Sequence, residues 1–226
     1  MRKGDSGQSF LTEAIVARRV NFGETDRIVE LLTPQGKISA MAKGARREKS
    51  KLAGGIEPFS LSKVTLVTGR GDLYTLSSAK MVRFFQGVLV DMEKLEFAGE
   101  VVRKVARVMG QVDYEVCFDL LKQTLEGVDD GLNMGLIRAW FWLNLARISG
   151  DEVNLFVDVL GEKLTAEKKY AWNFNERCFE VSENGFDAEI VKMMKVLLSV
   201  RLGVAGRVRG GEKYYGKLAE IGLSFA

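Results

Sequence analysis

Between Lys37 and Lys51 the chain carries Lys37, Lys43, Arg46, Arg47, Lys49 and Lys51 against a single acid, Glu48. The segment begins in an alternating stretch and runs through Gly44 into a loop that ends at Gly54-Gly55. Cations clustered where a strand meets a loop suit phosphates, because neutralising a polyanion releases its condensed counterions. The same six charges on a solvated loop would bind nothing in particular. Covalent chemistry is harder to place. With no histidine among the 226 residues, Ser-His-Asp triads, Cys-His pairs and His-ligated zinc are excluded. Lys, Asp, Glu and Tyr remain as possible catalysts, yet no convergent carboxylates and no cofactor loop stand out. Gly203 to Gly211 is glycine-rich and basic but lacks the spacing and terminal Lys-Ser/Thr of a P-loop. It reads as a loop with secondary cations Arg207 and Arg209.

The distribution of charge points the same way. The net charge is +3, but residues 1–80 hold 14 Lys and Arg against 8 Asp and Glu. The remainder holds 19 against 22. Basicity therefore belongs to the N-terminal third, whose expected partner is polyanionic. Two cysteines, Cys117 and Cys178, supply neither a disulfide framework nor a metal site by themselves. The longest apolar run, Ala139 to Ala146, is interrupted by Asn144 and falls well short of the ~20 residues of a membrane helix. MRKGDSGQSF has no apolar stretch behind its basic residues, so a signal peptide is not expected. The expected compartment is the cytoplasm.

The elements that must position the basic loop are strands. Ala14 to Arg19 and Ile28 to Thr33 are apolar runs separated by the turn-like Gly23-Glu24-Thr25-Asp26. Thr33-Pro34-Gln35-Gly36 is a tight-turn signal. Ile38, Ala40 and Ala42 then alternate with Ser39, Met41 and Lys43, the period of a half-buried strand. Phe59 to Thr68 and Leu73 to Ser77 add two more, split by Gly69-Arg70-Gly71-Asp72. Five short strands predict a small closed barrel over residues 1–80, with a five-stranded sandwich as the alternative. From residue 81 to 226 helix formers dominate. Leu95, Ala98, Val101, Val102, Val105 and Met109 share one helical face, and Cys117 to Thr124 repeat the pattern, ending near Gly127. Ile137 to Ile148, with Trp140, Phe141 and Trp142 in sequence, is apolar all round, so it is either central in a bundle or keeps a face for a partner. Asp187 is positioned to cap a last helix, Ala188 to Leu202. Asp151 to Gly185 shows no clear period and reads as irregular.

Three blocks of residues have a recognisable order: Gly23-Glu24-Thr25-Asp26-Arg27-Ile28-Val29, then Ala42-Lys43-Gly44-Ala45-Arg46-Arg47, then Ser50-Lys51-Leu52-Ala53-Gly54-Gly55-Ile56-Glu57-Pro58-Phe59. Together they resemble the RecO family. The resemblance is close over residues 12 to about 80 and loose beyond. It implies an α+β chain: a five-stranded OB-fold barrel followed by an all-α domain. It further implies a recombination mediator of DNA repair, without enzymatic activity or cofactor. Such proteins bind single- and double-stranded DNA, anneal complementary strands, engage single-strand-binding protein (SSB), and with RecR help load RecA. OB barrels carry nucleic acid on a strand face and its flanking loops. On that basis the expected DNA-binding cations are Arg18, Arg19, Arg27, Lys43, Arg46, Arg47, Lys49, Lys51 and Arg70. The aromatic candidates are Phe22, Phe59 and Tyr74, of which at least one of the latter two is expected in the core.

Two carry-overs concern the C-terminal part. Many relatives hold zinc in two Cys-x-x-Cys pairs. Here the corresponding positions, within about 151–185, are Val157, Leu160, Val181 and Asn184, so a degenerate, zinc-free remnant of that finger is expected. Leu136-Ile137-Arg138-Ala139-Trp140 resembles the helix that forms the groove for the acidic, apolar-ended tail of SSB. Arg138 would take a carboxylate, with Trp142 as an apolar wall. The same elements would also fit a general OB-type RNA-binding or ribosome-associated protein.

Overall fold

Alternation of core and surface residues builds the first five strands. The computed structural model describes residues 7–69, 71–151 and 153–225. It places β1 at Ser9–Phe22, β2 at Asp26–Thr33, β3 at Gly36–Ala42, β4 at Ser60–Val67 and β5 at Leu73–Phe84. They close into a barrel in the order β1-β2-β3-β5-β4, with β4 returning to β1 and a parallel step from β3 to β5. A five-stranded barrel of this kind is the OB architecture. Val16, Val29, Leu31, Ile38, Ala40, Val64, Leu66 and Leu76 fill its interior. The register explains this set, since Val29 lies opposite Ala40 and Leu31 opposite Ile38. A bulge in β1 between Val16 and Arg18 shifts the alternation, so Arg18, Val20 and Phe22 share the outer face of the strand's second half.

Two helices follow in the same unit, α1 (Met92–Val108) and α2 (Tyr114–Asp129). Each starts at an aspartate cap: Asp91 accepts the Lys94 N–H at 2.9 Å, and Asp113 accepts those of Glu115 and Val116 at 2.8 and 3.1 Å. The expected apolar face of α1 is buried through Phe97, Ala98, Val101, Val102 and Val105. α2 packs on β2, and its Lys122 reaches Glu13 of β1 at 3.1 Å. The chain divides into two compact units after Asp129, whereas the sequence reading draws its boundary at residue 80.

The second unit corrects one expectation. It is not all-α. Its helices are α3 (Met134–Ile148), α4 (Glu189–Ser199), α5 (Leu202–Ala205) and α6 (Glu212–Leu223). Between α3 and α4 the stretch read as irregular forms a four-stranded sheet: β6 (Asn154–Asp158), β7 (Lys169–Asn173), β8 (Cys178–Val181) and β9 (Phe186–Asp187). Its order is β6-β8-β7-β9. Strands of two to five residues, separated by turns, are too short for a period to show. The buried Tyr170, Trp172 and Phe179 make its apolar side. The last helix is shorter than expected, ending at Ser199. α6 was not anticipated, because Gly216 and Gly222 dilute its helical pattern. α3 is central: every residue from Ala139 to Ala146 is buried. Its one internal amide, Asn144, donates to the Trp140 and Leu197 carbonyls at 2.8 and 3.1 Å.

Candidate nucleic-acid interface

The basic loop is fastened by one carboxylate. Asp26, at the start of β2, accepts the Gly44 N–H at 2.7 Å and the Thr25 hydroxyl at 2.9 Å. The Thr25 carbonyl accepts the Arg46 N–H at 2.8 Å, and the Arg46 guanidinium donates to the Gly23 carbonyl at 3.0 Å. Thus the first two sequence blocks, separated by 12 residues, are two halves of one latch. Gly44 stands at φ +64°, a left-handed conformation that side chains resist. Beyond it, successive turns (Arg47 N–H to the Gly44 carbonyl at 3.1 Å, Ser50 N–H to the Arg47 carbonyl at 3.0 Å) keep the loop compact. Ala45 drops into the barrel core beneath it.

The cations face outward from this platform. Lys43, Arg46, Arg47, Lys49 and Lys51 are all exposed. Among the described residues none of the five lies within ion-pair distance of a carboxylate. Arg18 is exposed on the outer face of β1. Arg19 and Arg27 lie at the end of the barrel interior, since their register partners Val29 and Ala42 are core residues. Arg19 is ion-paired with Glu57, and Arg27 donates to the Asn21 amide oxygen at 3.3 Å. Both are half-buried. Arg70 lies outside the described residues.

Beside the loop is a strand face that water does not favour. Val20 and Phe22 are 43% and 52% exposed, and the register sets Val20 opposite Ile28, itself opposite Met41. Phe22 is thus the open aromatic of the three candidates. Tyr74 packs on the core and meets Phe10 edge-on at 6.0 Å between centroids. Phe59 is half-buried. An exposed ring and apolar strip flanked by exposed cations can stack bases while the loop holds phosphates.

Asp26 is a functional residue that the sequence reading does not single out, because its contact with Gly44 is made only by the fold. Its carboxyl is held below the ordinary value of 3.8 by the Gly44 N–H first, then by the Thr25 hydroxyl and the charges of Arg47 and Lys43. A depressed carboxyl stabilises the fold above the unfolded value and stops doing so as pH falls through the folded one. The latch is therefore expected to be intact at neutral pH and to open only below about pH 4, as Asp26 protonates. Amide exchange at Gly44 and Arg46, followed through an acid titration, should accelerate there before the barrel core does. In Asp26→Asn the step should vanish.

Residues 8–85 match the family described as Recombination protein O N terminal. The N-terminal domain belongs to the RecO family. Over 143 residues, 62% of this chain, the sequence is 36% identical to a protein named DNA repair protein RecO from Alkaliphilus metalliredigens, covering 57% of that protein. A protein of the same name from Rubrobacter xylanophilus is 33% identical over 143 residues, again covering 57% of its length. That of Geobacter metallireducens is 35% identical over 150 residues, or 66% of this chain and 61% of the relative. The chain thus matches little more than half the length of these relatives. The RecO-type barrel contains all three sequence blocks, the latch and the basic loop.

Outside it, the second unit holds the other residues carried over from RecO. Arg138 on α3 is half-buried, while Trp142 is only 4% exposed and stacks edge-on with Phe141 at 4.8 Å between centroids. An apolar wall for a docked peptide would have to come from other residues than Trp142. Val157 lies on β6, Leu160 is 81% exposed in the turn after it, and Val181 ends β8. Asn184 is exposed in the following turn. The turn at 158–162 is organised without thiolates: the buried Asp158 carboxylate accepts the Leu160 and Glu162 N–H groups, both at 2.9 Å. The two cysteines are poor nucleophiles. Burial, with Asp113 nearby, pushes the Cys117 thiol up to about 11, and burial also raises Cys178. Among the described residues no group of His, Cys, Asp and Glu could hold a metal ion, and no helix is long and apolar enough to cross a membrane.

Proposed function

We propose that this chain is a recombination mediator in DNA repair that binds single-stranded DNA, and double-stranded DNA more by charge than by base contact, on its RecO-type barrel. One observation carries the reading. Five exposed cations, Lys43, Arg46, Arg47, Lys49 and Lys51, with no carboxylate partner among the described residues, are held on a latched loop beside the open Phe22 strip. The loop tracks phosphates, with Arg18 extending the track along β1. The strip stacks bases without reading them. Annealing follows from this chemistry, since a protein that holds two strands by their backbones leaves their pairing edges free. Contact with SSB and RecR, and through them with RecA, is supported by the resemblance to RecO. We assign Arg138 to the acidic SSB tail. The protein acts in the cytoplasm, not as an enzyme, and takes no cofactor.

Competition tests this reading against a general RNA-binding role. A labelled thymidine oligonucleotide bound to the full chain should be displaced by unlabelled single-stranded DNA at least about ten times more readily than by an RNA hairpin of equal length, since one charge-assisted contact less is worth about tenfold. Equal displacement by the hairpin would favour the RNA reading instead.

A further inference from the structure

α1 turns a second set of cations toward the outer face of the barrel. Arg103 and Arg107, one turn apart, face Arg18 and Lys37 across a cleft of about 580 Å³ whose wall includes Phe59. The size falls in the ~300–1,000 Å³ range of small-ligand sites. Glu30 is the one acid on its lining, and Lys37 already engages it at 3.2 Å. Arg18, Arg103 and Arg107 are exposed and have no ion-pair partner among the described residues. Gly99 gives the Arg103 side chain room, because a Cβ there would stand 3.2 Å from its guanidinium.

Phe59 is the unusual member. Its φ is +58°, a strained conformation for a bulky residue that survives only where its surroundings enforce it. Here its N–H donates to the Val16 carbonyl at 3.0 Å, and its own carbonyl accepts the Phe85 N–H at 3.1 Å. The backbone is thereby fixed on both sides, which holds Phe59 in the wall of the cleft that Arg18, Lys37, Arg103 and Arg107 also line.

We propose that this cleft takes a nucleotide of the bound single strand as it leaves the strand face, with its phosphate on Arg18, Arg103 and Arg107 and its base against Phe59. The inference rests on the single-strand reading above and adds α1 to it. Continuity supports it: Arg18 belongs to the same outer row of β1 as Val20 and Phe22. An aromatic residue in the wall of a cleft with three cations that have no carboxylate partner among the described residues fits a base joined to a phosphate. An acidic peptide would use the cations and leave the ring unexplained.

The test uses the full chain and oligothymidine containing 5-iodouracil. Arg103→Gln with Arg107→Gln should weaken binding about tenfold and lower the salt slope by about 1.4, two phosphate contacts at ~0.7 each. Arg103→Lys with Arg107→Lys should restore the slope, and photocrosslinks should map to Phe59. Wild-type affinity and slope in the glutamine variant, with no crosslink at Phe59, would overturn the cleft. If Arg46→Ala with Arg47→Ala still loses binding under those conditions, the single-strand reading survives alone; if that variant is also unaffected, both fall. Binding of a peptide of Asp and Glu that needs Arg103 and Arg107, yet leaves the oligonucleotide in place, would make the cleft a peptide site and equally overturn the proposal.

Discussion

Arg46→Ala with Arg47→Ala should weaken binding to single-stranded DNA about tenfold or more at physiological salt, alike for all sequences, and flatten the salt dependence by about 1.4. Both guanidinium groups are exposed and unpaired by carboxylates, so neither has to break an ion pair to meet a phosphate. The two are not equivalent. Arg46 also closes the latch through the Gly23 carbonyl, whereas Arg47 contributes charge beside Asp26. Arg47→Ala alone should therefore remove about half of the slope change and leave the exchange of the Gly44 amide untouched. Fluorescence anisotropy against salt for the three proteins separates the two roles. Unchanged affinity and slope in the double variant would show the loop to be solvated surface only.

Asp129→Ala should destabilise the first unit by about 2–4 kcal/mol. The carboxylate, 11% exposed, receives Arg83 of β5 through two nitrogens at 2.6 and 2.8 Å. It also accepts the Gly87 N–H at 2.8 Å. Removing it takes one carboxylate from Arg83 and leaves the buried Gly87 amide without this acceptor, at the point where the barrel passes into its helices. The approach there is close, since a Cβ on Gly87 would stand 2.7 Å from the Asp129 Cα. Arg83 is about one-third exposed, which places the expected cost nearer the lower figure. A drop of about 10 °C in melting temperature follows from ~4 °C per kcal/mol for a unit of this size. Asp129→Asn keeps an acceptor for Gly87 and should recover part of the loss. A change below ~0.5 kcal/mol in urea unfolding would mean the contact is only surface decoration.

The barrel was legible because its strands are long enough for alternation to show. Ile38, Ala40 and Ala42 fall in the interior as their spacing predicts. The bulge at Ala17 was not legible, yet it decides which of Arg18 and Arg19 faces out. Charge counting treats the two alike; the structure leaves Arg18 open and pairs Arg19 with Glu57. Asp26 shows the same limit. As one acid in a turn it looks like a solvated charge, and its meaning appears only when Gly44 is brought to 2.7 Å. In the second unit the apolar helix α3 announced itself, but which of its two roles it plays depended on α4 and on the unanticipated α6. Arg103 and Arg107 are hidden for a different reason: the helical period of α1 marks the face it buries, and the cleft lies on the face it leaves open.

The central claim is that nucleic acid lies on the latched loop and the outer face of β1, β2 and β3. Hydrogen–deuterium exchange of the full chain, with and without a thymidine oligonucleotide, tests it most directly. Slower exchange is predicted over residues 18–28 and 41–51, with the interior of β4 unchanged. Protection confined to residues 130–226, with the loop exchanging as in the free protein, would contradict the account.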